Sequence, residues 1–365
     1  MRFSLLALIA ILLPMATYAQ EDSIRLHIKG YIDTYYATFS DSAGPDVLQP
    51  YTTVSPRDKR IGLNVAQLGV HYADPKVRAN LTLHFGDIAE ATWSETFRQV
   101  QEANAGFLLG RDWWVDAGFF ATHIGTESFL PKNNYLSSTA VATYNEPFYQ
   151  AGARLSYEGS ERYHLELWVT NGYNYFLDAN DAKSFGLLFT YNFSENTSLT
   201  YTNLFGRESA DEAPVAQYRT YQNLYLNTRA GEKLYIVAGG DLGTQSHSNI
   251  QDSTSTALMF NALLTLRYQH TDAFSLTGRY EVFHDPDGFI SGLLPAGDGR
   301  REGLQVQGIT LGAEYRPMST AYLRPEVRYL RSASDMPIFI SGAEPERGRW
   351  EAMITMGLYF TKQVK

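Results

Sequence analysis

The amino-acid sequence predicts an all-β chain, a transmembrane up-and-down antiparallel β-barrel of about 16 strands. Three observations carry that expectation. Segments alternating between apolar and polar residues recur at the length a tilted strand needs to cross a bilayer. The links between them alternate between short and long. An export-type N-terminus precedes an aromatic-rich body with no run of eighteen apolar residues.

The N-terminus comes first. Met1-Arg2 is positive, Phe3 to Met15 is apolar apart from Ser4 and Pro14, and Thr17 and Ala19 set small residues at the two positions that determine cleavage. Residues 1–19 therefore read as a cleaved signal peptide and 20–365 as one barrel domain; an uncleaved anchor fits less well, because the apolar run is short for a span. The chain has no cysteine, which rules out a disulfide framework and thiolate metal sites. A net charge of -9 and a pI near 5.4 argue against a nucleic-acid partner. Aromatics make up 14% of the chain, led by 25 tyrosines, and the mean hydropathy is -0.27. This profile fits an outer-membrane barrel and also a secreted β-sandwich; composition alone does not separate them.

Order along the chain does. Strand-like segments begin at Leu26–Tyr36, Gly62–Tyr72, Val77–Phe85, Val100–Leu109, Trp113–Thr122 and Tyr149–Tyr157. They continue at Tyr163–Thr170, Ser184–Tyr191, Ser198–Phe205, Tyr218–Thr228 and Leu234–Leu242. The remaining five are Thr256–Tyr268, Phe274–Phe283, Gln305–Tyr315, Ala321–Leu330 and Trp350–Phe360. Each even-to-odd link is short, as at Ala73–Lys76, Gly110–Asp112 and Arg316–Thr320. Most odd-to-even links are long, the longest being His123–Phe148. Short periplasmic turns and long extracellular loops are the pattern of a bacterial outer-membrane barrel, and Greek-key crossings have no reason to produce it.

The faces agree. In the hairpin Gly62 to Asp87, Val77, Ala79, Leu81, Leu83 and Phe85 form one face and Arg78, Asn80, Thr82 and His84 the other. Tyr72, Tyr157, Tyr163, Tyr191, Tyr268 and Tyr315 sit beside short turns, where amphipathic rings suit the headgroup level. Gln305 to Tyr315 changes face near Gly308, which suggests a bulge, and Pro325 falls on an apolar face. These two segments leave the expected count between about fourteen and eighteen. The last segment alternates to an outward Phe360, like the terminal signal read by the outer-membrane assembly machinery, although five residues follow it.

GYIDTYYATF (30–39), NVAQLGVHYADPKVRANLTLHFGD (64–87), QEANAGF (101–107), DAGFFATHIGTES (116–128) and NGYN (171–174) resemble the beta-barrel porin-2 (OmpL-like) family, common in Bacteroidota. The resemblance covers most of the chain after the signal and is densest in its first half. Its motifs are structural, so it implies an outer-membrane porin-like barrel and carries over no site residues.

No enzyme constellation is visible: H-E-x-x-H, the P-loop and the G-x-S-x-G elbow are all missing. His71, His84 and His164 lie on polar faces, but nothing sets a serine beside them. His123 and Glu127 would share a metal only on a helix; a loop anchor is the plainer reading. Asp285-Pro286-Asp287-Gly288 lacks the terminal ligands of a calcium loop and reads as an external turn. No catalytic residue, metal or cofactor is expected.

The functional candidates are the lumen and the loops. Lys29, Asp33, Arg78, Glu102, Asp116, Arg154, Glu166, Arg267, Arg279, Glu281, Arg324 and Arg328 point inward on this register, as do Arg219, Asp241 and Glu326. They either line water and set weak ion preference or form salt bridges that stiffen the wall. The loop His123–Phe148 is expected to narrow the pore, with His123, Glu127 and Lys132 as constriction candidates and Arg154 on the following strand. Three functions stand open: a passive porin for ions or small hydrophilic solutes, a plugged barrel acting as an adhesin or structural protein, and a soluble carbohydrate-binding β protein. The first implies outer-membrane lipid and the assembly machinery as partners, with a homotrimer as an option.

Overall fold

The computed structural model describes residues 25–41, 44, 47–177, 180–295, 300–341 and 344–364, without the side chains of 340 and 341. The expected signal peptide at 1–19, and Gln20 and Lys365, lie outside them.

Among the described residues, sixteen strands close into one barrel. They are β1 (Arg25–Phe39), β2 (Arg60–Ala73), β3 (Val77–Phe85), β4 (Val100–Gly110), β5 (Trp113–Ala121) and β6 (Tyr149–Tyr157). Next come β7 (Tyr163–Thr170), β8 (Ser184–Ser194), β9 (Thr197–Arg207), β10 (Tyr218–Ala230) and β11 (Leu234–Gln245). The last are β12 (Ala257–Thr271), β13 (Phe274–His284), β14 (Gln305–Met318), β15 (Ala321–Ser332) and β16 (Gly348–Val364). Each strand pairs antiparallel with its sequence neighbours, and β1 returns to β16 through pairs such as Gly30↔Phe360 and Ile32↔Leu358. Closure excludes the sandwich reading. The Phe360 ring lies over Gly30, where a Cβ would sit 2.4 Å from it, so any larger residue there would have to push the ring aside.

Alternation sets the register. Leu68↔Leu83 and Val70↔Leu81 face outward, and Gly69↔Thr82 and His71↔Asn80 face inward. Leu81 is 49% exposed and Thr82 6%, the reverse of a water-soluble sheet. On the short-turn rim, Tyr157 stacks on Tyr163 at 5.6 Å and Trp113 packs beside Tyr157 at 5.1 Å. These rings form part of the expected girdle.

One of the two irregular segments departs from expectation and the other follows it. Gly308 carries no bulge: β14 runs against β13 without a shift from Phe274↔Tyr315 to His284↔Gln305. The face change is a true inversion of polarity. Val306 points inward and is buried because the long-loop end of the lumen is packed with Leu304, Phe283, Leu330 and Phe339. Pro325 does stay on the outer face, and the β14–β15 ladder is interrupted there. It passes from Gly312↔Glu326 to Tyr315↔Leu323 with no paired residue between them, as a residue without an N–H requires.

Two helices, α1 (Asp87–Thr92) and α2 (Val141–Asn145), lie in loops, and α2 belongs to the long loop between β5 and β6. Asp285-Pro286-Asp287-Gly288 is a loop turn. Asp285 accepts bonds from the Ile290 and Ser291 amides at 3.0 and 2.8 Å, and Gly288 takes φ 63°.

Leu81→Arg is expected to cost roughly 2–4 kcal/mol of barrel stability, measured by refolding into lipid vesicles. Asn80→Arg, one residue along on the inner face, should cost far less; equal losses would contradict the register.

Candidate functional site

The lumen is organised by the loop from His123 to Phe148, which folds inside the barrel as its length suggests. His123 holds its root. One ring nitrogen lies 2.8 Å from Gln150 Oε1 and the other 2.9 Å from the Asn203 carbonyl, and the ring stacks on Trp168 at 4.8 Å. The loop then crosses to the far wall. Thr126 Oγ1 accepts a bond from Asn223, Lys132 N donates to Tyr31 Oη, and Ser137 Oγ meets Thr355 Oγ1 at 2.5 Å. The wall makes room with glycine: a Cβ on Gly239 would sit 2.5 Å from Thr126 Oγ1, and one on Gly312 2.6 Å from Leu136.

Charge secures the crossing. Glu326 accepts bonds from Ser137 N, Ser138 N and Ser138 Oγ. Glu281 accepts from Val141 N at 2.6 Å and from Arg328 at 2.8 Å. Arg279 reaches Glu127 at 3.0 Å and the Ser138 carbonyl at 2.7 Å, and Arg324 reaches the Pro131 carbonyl at 2.7 Å. Glu314 collects Arg267, Arg316 and Arg324 within 2.8 Å. Buried charges persist only when paired in this way.

The inward candidates therefore divide. Arg279, Glu281 and Arg324 are buried beneath the loop and bond to it, and Arg267 and Arg328 are buried beside them, paired with Glu314 and Glu281. Asp33 is also buried, bonded to Asn64, Tyr31 and Tyr322. On β3 to β7 the arginines are more open, while Asp116 and Glu166 are buried against them. Arg78 bridges Asp116 and Glu158 at 2.5 Å each, and Arg154 spans Asp116 and Glu166 at 3.1 Å each. Glu102 accepts bonds from Asn80 and from the Ala121 amide, and Lys29 is exposed. Glu127, Lys132 and Arg154, expected to form one constriction, bond instead to three different walls: Arg279 on β13, Gln67 on β2, and Asp116 and Glu166 on β5 and β7.

Two of the lumen histidines bond to the protein, and the third is placed by register alone. His84 lies 2.9 Å from the Arg98 carbonyl, His164 lies 3.0 Å from Glu166, and His71 sits opposite Asn80 and His27.

Of the cavities along the wall β8 to β12 among the described residues, two meet at the end of the inward loop. The deeper, about 430 Å³, is lined by Thr126, Asn134, Leu188, Tyr225, Val237 and Thr265. The outer one, about 540 Å³, opens among the long loops beside Tyr173, Glu208, Arg219 and Phe289. Glu146 and Phe148 line both. Burial, with the Asp241 and Glu127 carboxylates nearby, pushes the Glu146 carboxyl well above the usual range. Asp241 is itself held by Tyr221 and by the Asn223 and Asn261 amides. Glu146 was not singled out from the sequence. A loop carboxylate gains significance only when folding sets it between two cavities.

Comparison with known proteins adds three findings. A family model described as "Putative beta-barrel porin-2, OmpL-like" matches residues 25–361. No curated protein sequence matches the chain. Among solved structures, the outer-membrane channel DcaP of Acinetobacter baumannii superposes with a TM-score of 0.63 at 12% identity, covering 95% of this chain and 100% of that one. OmpF of Salmonella typhi, in complex with daunomycin, gives 0.55 at 14%, with 95% and 100% covered. The in-vitro folded OmpT of Vibrio cholerae, in its trimer form, gives 0.52 at 10%, with 93% and 100% covered. At such identities the structures speak for the fold alone.

Lys132 supplies a pH test. Burial, and Lys29 nearby, pull its ammonium down to about 8, against the opposing effect of Glu102. It is charged below that pH and neutral above it. Raising the pH from 7 to 9 (about one unit either side of that value) should remove one lumenal positive charge and shift the reversal potential toward cation preference. In Lys132→Met the shift should be absent.

Proposed function

This chain belongs to the putative beta-barrel porin-2, OmpL-like family, and from that premise we propose that it is a passive channel for ions and small hydrophilic solutes across the outer membrane. It is an integral outer-membrane barrel of porin type. One observation supports the finer reading above the others: two of the cavities beside the inward loop meet, both bordered by Glu146 and Phe148. A diffusion route along β8 to β12 would pass that pair, and Tyr225, Asn227 and Thr265 offer hydrogen bonds to a hydrated solute beside it. Family and fold favour a channel over an enzyme.

A second reading, a plugged barrel with a structural or adhesive role, draws support from the packing of the long-loop end. Val54, Ile88, Trp93, Phe129 and Phe148 form one apolar cluster, and Val141, Met259, Phe283, Leu304 and Phe339 belong to another. Measuring current through the purified protein separates the two readings.

The proposal extends to the surroundings. Residues 1–19 would direct export, and the barrel assembly machinery would read the outward aromatic end of β16. The outer face offers a place for copies of the chain to meet. Ala79, Ala105, Ala117 and Ala153 lie in register across β3 to β6, a row of small side chains that allows close approach in lipid. A homotrimer, the form recorded for Vibrio cholerae OmpT, would suit this patch.

Folded protein in planar bilayers is expected to give discrete conductance steps; their absence would favour the plugged barrel. Glu326→Ala removes the acceptor for three loop donors, at roughly 1–3 kcal/mol for each buried donor left unmet. It should give larger or noisier open currents.

A further inference from the structure

The outer cavity has the makings of a ligand site, and its chemistry is specific. Arg219 lines it, with its guanidinium carbon 4.7 Å from the Tyr173 ring centroid and 5.6 Å from that of Phe289. Its Nε donates to Gln245 Oε1 at 2.9 Å and its Nη2 to the Phe289 carbonyl at 3.0 Å, while Nη1 stands 3.7 Å from Glu208. The planar group is held rigidly, with rings near it. Tyr144 and Tyr175 add two further rings to the lining. Neither hydroxyl hydrogen-bonds to another described residue, and the Tyr175 ring is 38% exposed. Gln217 spends its amide N–H groups on the His247 carbonyl and Ser248 Oγ, leaving Oε1 as an unused acceptor.

We propose that this cavity is a subsite for a neutral carbohydrate, a short oligosaccharide entering the channel from the long-loop side; the idea rests on the channel reading above. A sugar ring offers apolar C–H faces and a hydroxyl edge. Amphipathic rings with free polar tips and fixed planar side chains match both surfaces. Charge does not favour anions: Arg219 is the one cationic residue lining the cavity among those described, and it already faces Glu208. Volume agrees, since about 540 Å³ lies within the usual range for small-molecule sites. The site borders the Glu146–Phe148 level, so an occupant would sit directly over the route and block ion current.

The test is single-channel recording of the full chain with maltotriose added on the long-loop side, and with triglycine and citrate as separate probes. Support is a reversible, concentration-dependent fall in open current with maltotriose and not with the other two. Tyr175→Ala should weaken that block about tenfold, the loss of one aromatic contact. Gln217→Ala, which removes a polar partner without removing a ring, should weaken it too; each variant is scored against its own sugar-free current. Steps of normal size that maltotriose does not alter would overturn the subsite and leave the channel standing. Equal block by triglycine or citrate would also overturn it. No steps at all would overturn the channel reading and this proposal with it.

Discussion

Everything in this structure depends on the satisfaction of backbone polar groups where no water is available. A strand with an open edge in hydrocarbon leaves N–H and C=O groups unmet at several kcal/mol each, so the sheet must close. Closure here is the pairing of β1 with β16, and it dictates much else: an even strand number, both barrel ends of the chain on the same rim, and one residue face given entirely to lipid. The inner face is then free to carry Arg, Glu, Asp and His, which would be costly outside.

Inside the wall, polarity is layered. The long-loop end is filled by apolar side chains from the loops and by Val306 and Leu330 from the strands. The middle is a ladder of paired ions running from Arg349 and Glu351 through Arg328 and Glu281 to Arg279 and Glu127. The short-turn half of β3 to β7 holds more accessible pairs around Asp116. The barrel's interior is thus filled largely by protein, and the two cavities that meet at Glu146 and Phe148 lie toward β8 to β12.

The wall was legible in the sequence to the residue at many strand starts, because side-chain alternation and turn chemistry are local. Val77–Phe85, Tyr149–Tyr157 and Tyr163–Thr170 begin and end where the alternation does. The inward course of the loop could also be anticipated from its length. What could not be read is who covers whom. Arg279 and Arg78 look alike in sequence, each an arginine on a polar face, yet one is sealed beneath Ser138 and Glu127 and the other lies partly open. Glu146 and Asp241 are far apart along the chain, and only folding makes neighbours of them. The polarity inversion at Val306 and Gln307 suggested a bulge because an apolar interior is invisible until the loops are in place.

The loop's reach to the seam carries a consequence for how the molecule is made. It springs from β5, yet it bonds to Tyr31 on β1 and to Thr355 on β16, the two strands that meet at the barrel's seam. Interior and wall therefore cannot be completed independently. Joining first strand to last brings together the partners of Lys132 and Ser137, so the seam of the wall and the filling of the lumen rest on the same side chains.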